Sequence, residues 1–481
     1  MTMSLGAVLD GAGVAAEVAG DAGVVVASVV QDSGQATPGA LFCCIAGAHV
    51  DGHAFARAAV VAGAVAVVAE HAVDVPAGVP VVNVPSVREA IGPIASSFHG
   101  HPSRRLTLVG VTGTNGKTTT THLLRSVFQA NGQEAAVIGT LTSSTGSPPT
   151  TPDAPVLQAR LAELVAAGTT AVAMEVSSHG LAMHRVDGTR FAAAAFTNLS
   201  QDHLDLHGTM EAYFAAKARL FTPAFTDLAV VGVDDPRGRL LVDAATIRTV
   251  PWSMADAGDL VLTPEGSTFT WRGAAVHLPI AGRVNVANAL CAATVAAELG
   301  IAPDVVAAGL AAAPGVRGRF EAVRGDQPYA VVVDYAHTPD GLEHVLSSAR
   351  ELVAGGRKVI AVFGAGGDRD PAKRPRMGEV VSRLADVAVV TSDNPRSEDP
   401  DAIIDAVVAG METPRMRIVE PDRRRAIGLA LAAAAPGDVV IIAGKGHETT
   451  QTIGDEVLPF DDVVVAGELL LELGFHLVEA G

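Results

Sequence analysis

The 481-residue chain has only three cysteines, Cys43, Cys44 and Cys291. Three thiols supply neither a disulfide framework nor a zinc-ligand spacing. Cys43 and Cys44 are adjacent, so on a strand they face opposite sides. They read as small buried apolar residues of a chain kept in a reducing cytoplasm. Aromatic residues make up 4% of the chain, so its cores must be built mainly from Ala and Val. Basic residues are scarce: 34 Lys and Arg against 52 Asp and Glu leave a net charge of -18. Such a surface repels polyanions, which excludes nucleic acid and anionic membranes as expected partners. It does not exclude phosphate, which a helix N-terminus and one Lys hold locally. Long apolar runs are also lacking. The longest near the start, Ala58 to Ala69, is too short to cross a bilayer. Met1 to Asp10 has neither the basic region nor the apolar core of a signal peptide. A soluble, cytoplasmic protein is expected.

What is present is a folding composition, 49% hydrophobic and 18% charged, long enough for about three domains. Residues 1–105 hold short alternating strands and Gly-rich turns, closing on the polar linker His99 to Arg105. Residues 106–315 open on the buried strand Leu106–Val111. They continue with a helix from Thr118 to Ala130 stopped by Asn131-Gly132, a strand Ala135–Gly139, a helix Leu157–Ala167 and a strand Ala171–Val176. Residues 316–481 repeat the alternation, with strands at Ala330–Val333, Val359–Phe363, Val387–Thr391 and Val439–Ala443. Helices are expected between them at Asp401–Ala409 and Arg423–Ala434. Strands alternating with helices give βαβ units and a mostly parallel sheet. The fold class is therefore α/β in three domains: a small N-terminal one, a central P-loop-type one with a mostly parallel sheet and a Rossmann-like C-terminal one.

The most informative segment runs from Gly110 to Thr120, between the first strand and helix of the central block. In a loop of this kind, Gly113, Thr114, Asn115 and Gly116 turn backbone N–H groups toward phosphate oxygens. Lys117 reaches the β- and γ-phosphates, Thr118 offers a hydroxyl to Mg²⁺, and Thr119 continues the helix N-terminus. The general consensus wants a glycine five residues before Gly116, where this chain has Val111. Downstream lie Met174 to Gly180, with Glu175 near the end of a strand, then Asn198 to Asp205, rich in oxygen and imidazole groups. Tyr213 to Lys217 follows on a helix. Phosphoryl transfer between anions needs cations to neutralise the developing charge, and Glu175 and His203 suit the holding of one. Read alone, each is an ordinary surface or capping residue, and Lys217 a solvated helix residue. Three such segments after one phosphate loop change that balance.

The loop Gly113 to Thr118 resembles the ATP loop of the Mur ligase and folylpolyglutamate synthetase superfamily, and the other segments resemble the Mur ligase pattern over nearly the whole chain. The resemblance implies an ATP-dependent amide ligase that forms an acyl phosphate on a carboxylate for an amine to displace. It implies Mg²⁺ held by Glu175, His203 and Thr118, a carbamylated Lys217, and catalytic roles for Lys117, Lys217 and His203. Gly282 to Asn288 resembles the adenine-binding stretch, with Asn288 the contact. Arg319 and Asp334 lie in segments that resemble those closing over ATP.

Among Mur ligases, the N-terminal block resembles the UDP-binding domain of the third-step members, with Ser33 near the nucleotide. Thr150, Thr151, Ser177 and Arg185 match the contacts to the sugar-dipeptide. Pro149 and Met183 depart from a common form of the pattern, which has Asn and Gln there, and Gly34 replaces an Arg. Gly366 to Asp370, Ser392 to Arg396 and Gly444 to Glu448 resemble the amino-acid site of diaminopimelate-adding members. That resemblance assigns Arg369, Asp393, Asn394, Pro395, Arg396, Gly444 and Glu448 to the site. Arg396 presents the planar fork of donors that fits a carboxylate; Arg369 suits the other carboxylate, and Glu448 and Asp393 the ammonium groups. The implied substrates are ATP, UDP-N-acetylmuramoyl-L-alanyl-D-glutamate and meso-2,6-diaminopimelate, in peptidoglycan precursor synthesis by a monomer. The alternatives are a lysine- or LL-diaminopimelate-adding ligase of the same step, a D-Ala-D-Ala-adding ligase, or a non-catalytic nucleotide-binding protein.

Overall fold

The computed structural model describes residues 2–47, 50–141, 149–353, 355–412 and 416–478. They form two compact units, one of residues 1–113, 132–197 and 209–251, the other of 114–131, 198–208 and 252–481.

The first unit holds two larger sheets beside a two-stranded one of Met3–Ser4 and Val25–Val26. The N-terminal sheet comprises β1 (Glu17–Ala19), β2 (Ser28–Val30), β3 (Ala40–Cys43), β4 (Ala64–Ala69) and β5 (Val81–Asn83), in the order β1-β5-β4-β3-β2. All neighbours are parallel except β1 with β5. The expected alternation of buried and exposed residues does not occur in β3, where all four residues are buried. A parallel sheet is covered on both faces, so its inner strands become continuous apolar runs. Leu41 and Cys43 enter one core and Ala40, Phe42 and Cys44 the other, which puts the adjacent cysteines on opposite faces as expected. The run Ala58–Ala69 divides into the end of a helix, Ala56–Val61, and β4.

The second sheet comprises β6 (Thr107–Thr112), β7 (Ala135–Ile138), β8 (Ala171–Glu175), β9 (Ala193–Phe196), β10 (Leu228–Gly232) and β11 (Arg248–Trp252), in the order β11-β10-β9-β6-β8-β7. From β7 to β10 the pairing is parallel. Parallel strands place their carboxyl ends along one edge, where open α/β sheets take their ligands. Glu175 is the last residue of β8 and lies in register with Val111 on β6.

In the second unit, helix α1 (Lys117–Ala130) packs with α2 (Arg283–Glu298) and α3 (Pro303–Ala311). Residues 258–278 form an antiparallel three-stranded sheet. The larger sheet comprises β12 (Glu321–Ala322), β13 (Ala330–Asp334), β14 (Val359–Phe363), β15 (Val387–Val390), β16 (Met416–Val419) and β17 (Val439–Ala443), in the order β12-β13-β17-β14-β15-β16. Only the edge strand β12 is antiparallel. The fully buried runs of β14, β15 and β17 separate two apolar cores. No helix among the described residues is long and apolar enough to cross a membrane.

Candidate active site

Within the first unit, four of the five residues expected to hold the sugar-dipeptide gather at the end of β8. The Thr151 hydroxyl donates to the Glu175 carbonyl at 3.0 Å and accepts from the Ser177 backbone N–H at 2.9 Å. Arg185 donates to the Thr151 carbonyl at 3.1 Å and pairs with Asp153 at 2.8 Å. Thr150 and Thr140 bring their hydroxyls within 3.1 Å. The Ser177 hydroxyl caps the helix Ser178–Ala182 by accepting from Gly180 at 3.0 Å. Ser33 opens a short 3-10 turn capped by the Asp32 carboxylate. Met183 ends the Ser178–Ala182 helix, and its sulfur accepts from Arg88 at 3.4 Å.

The Glu175 carboxylate is buried and accepts from the Thr140 backbone N–H at 2.8 Å. Thr140 was not singled out from the sequence, because nothing in a lone Thr after a strand marks it as a partner of a distant Glu. Lys217 overturns its ordinary reading as a solvated helix residue. It sits on the helix Met210–Ala218, is 1% exposed, and donates to the Gly113 carbonyl at 2.9 Å. Its ammonium also lies 4.5 Å from the centre of the Tyr213 ring. One charged side chain is thus spent on the first glycine of the phosphate loop.

Within the second unit, the rest of that loop is laced to residues 198–200. Thr114 N–H donates to the Asn198 carbonyl and Asn115 N–H to the Asn198 side-chain oxygen, both at 2.9 Å. Ser200 N–H donates to the Thr114 hydroxyl at 3.0 Å. Lys117, the first residue of α1, donates to the Thr114 carbonyl at 2.9 Å. Gly116 has φ +85, and a Cβ there would lie 2.2 Å from Asn288 Oδ1. Only glycine permits both that conformation and that approach, so the expected adenine contact on α2 lies directly against the loop. Thr118 and Thr119 are buried in the first turn, and Arg319 reaches the Thr118 hydroxyl at 3.4 Å. The Arg319 guanidinium lies 4.7 Å from the centre of the Tyr335 ring. Asp334, at the end of β13, accepts from Phe320 and Ala336 N–H at 2.7 and 2.8 Å. Loss of hydration raises its carboxyl above the usual range against the pull of Arg319. His203 stands at φ +52 with an exposed ring 3.4 Å from the Asp202 carboxylate.

The expected amino-acid residues converge at the ends of β15 and β17. Asp393 and Asn394 are buried. Asn394 donates to the Glu448 carboxylate at 2.8 Å. Gly444, at φ +121, donates to the Asp334 carbonyl at 3.0 Å. Pro395 leads into Arg396, whose backbone N–H donates to Thr452 at 3.0 Å and whose guanidinium donates to the Gly367 carbonyl at 2.6 Å. Arg369 is exposed, with its stem beside Gly366. Two charged residues behind this group escaped the sequence reading. Lys445 is fully buried and touches Asn394 and Glu448, and Arg423 is buried against Asp462 at 2.7 Å. Lys445 lies inside the segment Gly444 to Glu448 that resembles the amino-acid site, but nothing local in the sequence marks its burial.

Residues 111–296 match the Mur ligase middle domain, 318–446 the Mur ligase glutamate ligase domain, and 25–99 the Mur ligase family catalytic domain. A UDP-N-acetylmuramoyl-L-alanyl-D-glutamate--2,6-diaminopimelate ligase of Gloeobacter violaceus is 47% identical over 461 residues, covering 92% of this chain and 94% of its own. A solved structure bearing that same ligase name is 33% identical with TM-score 0.70, covering 98% of this chain and 100% of the other. The MurF ligase of Thermotoga maritima in complex with ADP shares the fold at 20% identity and TM-score 0.62, covering 93% of this chain and 96% of its own.

Proposed function

This chain belongs to the Mur ligase family, and on that premise we propose that it joins 2,6-diaminopimelate to UDP-N-acetylmuramoyl-L-alanyl-D-glutamate at the expense of ATP. The observation that carries this reading is similarity, over more than nine-tenths of the chain, to a ligase named for that step. The geometry supports it through the loops gathered at the carboxyl ends of both large sheets. We assign binding of the acceptor's UDP to residues 1–105, most of the ATP site to 106–315 and the amino acid to 316–481.

In this proposal a carboxylate oxygen of the acceptor attacks the γ-phosphorus of ATP, and ADP leaves. The amine nitrogen of the incoming amino acid then attacks the acyl carbon. The C–O bond to phosphate breaks, inorganic phosphate departs, and the amine gives up a proton. Gly113 to Thr119 bind the phosphates, with the positive end of α1 adding to the ammonium of Lys117. Asn288 contacts the adenine, and Arg319 and Asp334 complete the nucleotide site. Ser33, Thr150, Thr151, Ser177 and Arg185 orient the acceptor. Glu175, Thr118 and His203, with a carbamylated Lys217, would hold Mg²⁺; the carboxylate and hydroxyl oxygens are the hard donors that such an ion prefers. When bound, that ion supplies neutralisation of the phosphoryl charge. Arg396 and Arg369 receive the carboxylates of diaminopimelate, and Asp393 and Glu448 its ammonium groups.

The test is phosphate release by the purified protein with ATP and the UDP-muramoyl-dipeptide, across meso- and LL-diaminopimelate, L-lysine and D-alanyl-D-alanine. Sustained turnover is expected only with acceptor and a diaminopimelate isomer together. Equal turnover with L-lysine would overturn the specificity. Turnover without acceptor would overturn the ligase reading. For the lysine, intact mass and carbon-13 bicarbonate labelling should detect a carbamate on Lys217. Lys217→Ala should be nearly inactive, with partial rescue by short carboxylates that replace the lost oxygens.

A further inference from the structure

Lys445 is fully buried, yet it lies on the loop after β17 among the residues assigned to the amino acid. Its ammonium donates to Asn394 Oδ1 at 3.1 Å and to Glu448 Oε2 at 3.3 Å, and stands 3.8 Å from Asp393 Oδ1. Asn394 Oδ1 also accepts from the Thr452 backbone N–H at 3.0 Å, while its amide nitrogen donates to Glu448 Oε2 at 2.8 Å. These contacts fix the amide. Turned over, it would set its NH₂ against two donors and its oxygen against a carboxylate. One ammonium thereby sets the direction of Asn394 and anchors one oxygen of Glu448. The Glu448 side chain is still 31% exposed, so part of the carboxylate remains open to a ligand. The charges matter as well. Asp393 and Glu448 are two acids in a confined site, and Lys445 balances one of them. The neighbouring Arg423 is balanced by its own buried partner, Asp462.

We propose that Lys445 is a positioning residue for the amino-acid substrate. It holds Asn394 and Glu448 in the arrangement that receives an ammonium group, and offsets part of the acidic charge of Asp393 and Glu448 beside it. Being buried behind both, it acts through them and does not touch the substrate. This inference rests on the diaminopimelate reading given above.

The experiment compares wild type with Lys445→Met, which keeps the length and removes the charge, and Lys445→Gln, which restores a donor. For Lys445→Met the KM for diaminopimelate should rise at least tenfold, while the KM values for ATP and for the UDP-muramoyl-dipeptide stay within twofold. Lys445→Gln should recover part of the loss. In a double-mutant cycle, Glu448→Gln should cost much less in the Lys445→Met background than in wild type, because the carboxylate is then already misplaced. A purely structural lysine would raise all three KM values together or lower Tm with KM unchanged, and either result overturns the proposal. Failure of both variants to fold would also overturn it, by assigning Lys445 to the framework alone. If wild type shows no diaminopimelate-dependent turnover, the underlying reading fails. If wild type turns over and Lys445→Met keeps its KM, only this inference fails.

Discussion

Lys117 donates to the carbonyl of Thr114 on its own loop, so its ammonium is held where the first turn of α1 begins and does not sweep through solvent. A cation fixed before the reaction costs no reorganisation when charge develops on the transferred phosphoryl group. Lys117→Ala should therefore lower kcat by about two to three orders of magnitude, with Tm and the amino-acid KM nearly unchanged. Steady-state phosphate release on a folded variant measures this, and near-normal turnover would remove Lys117 from the chemistry. Arg396 is set differently. Its backbone is pinned by Thr452 and its φ is +54, so the turn is specified apart from the guanidinium. That side chain donates one N–H to Gly367 at 2.6 Å, and a guanidinium has five donors in a fixed fork. Diaminopimelate carries a second carboxylate where lysine carries none. Arg396→Ala should raise the diaminopimelate KM and narrow the preference over L-lysine while sparing the ATP KM. Competition between the two amino acids in one assay reads this directly; an unchanged ratio would assign selectivity elsewhere.

Helix α1 carries the phosphate loop, and its own position is fixed by close helix packing. Ser126 donates to the Gly309 carbonyl at 2.7 Å, and a Cβ on Gly309 would lie 2.5 Å from Val127 Cα. Because the obstacle is backbone, Gly309→Ala must push α3 away from α1. Overpacking of this sort costs about 1–3 kcal/mol, so Tm should fall by several degrees and nucleotide affinity with it. A variant with unchanged Tm would show that the helices separate freely. The elements around this contact differ in how readable they are. Thr107–Thr112, Val359–Phe363, Val387–Val390 and Val439–Ala443 are apolar runs between turns, and parallel strands covered on both faces have to look that way. The antiparallel sheet at residues 258–278 escaped notice. In its first strand, Gly258–Thr263, exposed positions predominate and none is buried, so no apolar run announces it. The phosphate loop was legible because its chemistry is local, seven residues in a row. The burial of Lys217 was not, because the carbonyl that accepts its hydrogen bond lies 104 positions away. Nor was Lys445, whose partners Asn394 and Glu448 come from the ends of two different strands.

At the scale of the molecule, the net charge of -18 makes the folded chain repel itself, and acid should relieve that repulsion. The histidines act in the opposite sense and at higher pH. His122 on α1 has a buried Nε2 that finds no hydrogen-bond partner among the described residues, and burial, then Arg125 and Arg319, push its pKa down to about 4. His447 is pushed down to about 4 by burial, then by Arg319 and Arg317. His337, His99 and His101 are lowered as well, burial leading in each. Unfolded, each histidine binds its proton near 6.5. Between pH 6.5 and 4 the unfolded chain therefore holds more protons than the folded one, and stability falls as pH falls through that window. The stability is fully present above 6.5. For His122 the loss across the window is on the order of 3 kcal/mol. Free carboxylic acids take up protons only near pH 4, so relief of repulsion by acid belongs to the low end of this window. Thermal melts at pH 7.5, 6.5 and 5.5 should show Tm slightly lower at the second and clearly lower at the third. His122→Gln, which cannot take up the proton, should flatten part of that decline without altering the melt at pH 7.5 by a comparable amount. A wild-type Tm that stays constant or rises toward pH 5.5 would mean that relief of the acidic surface outweighs the buried histidines.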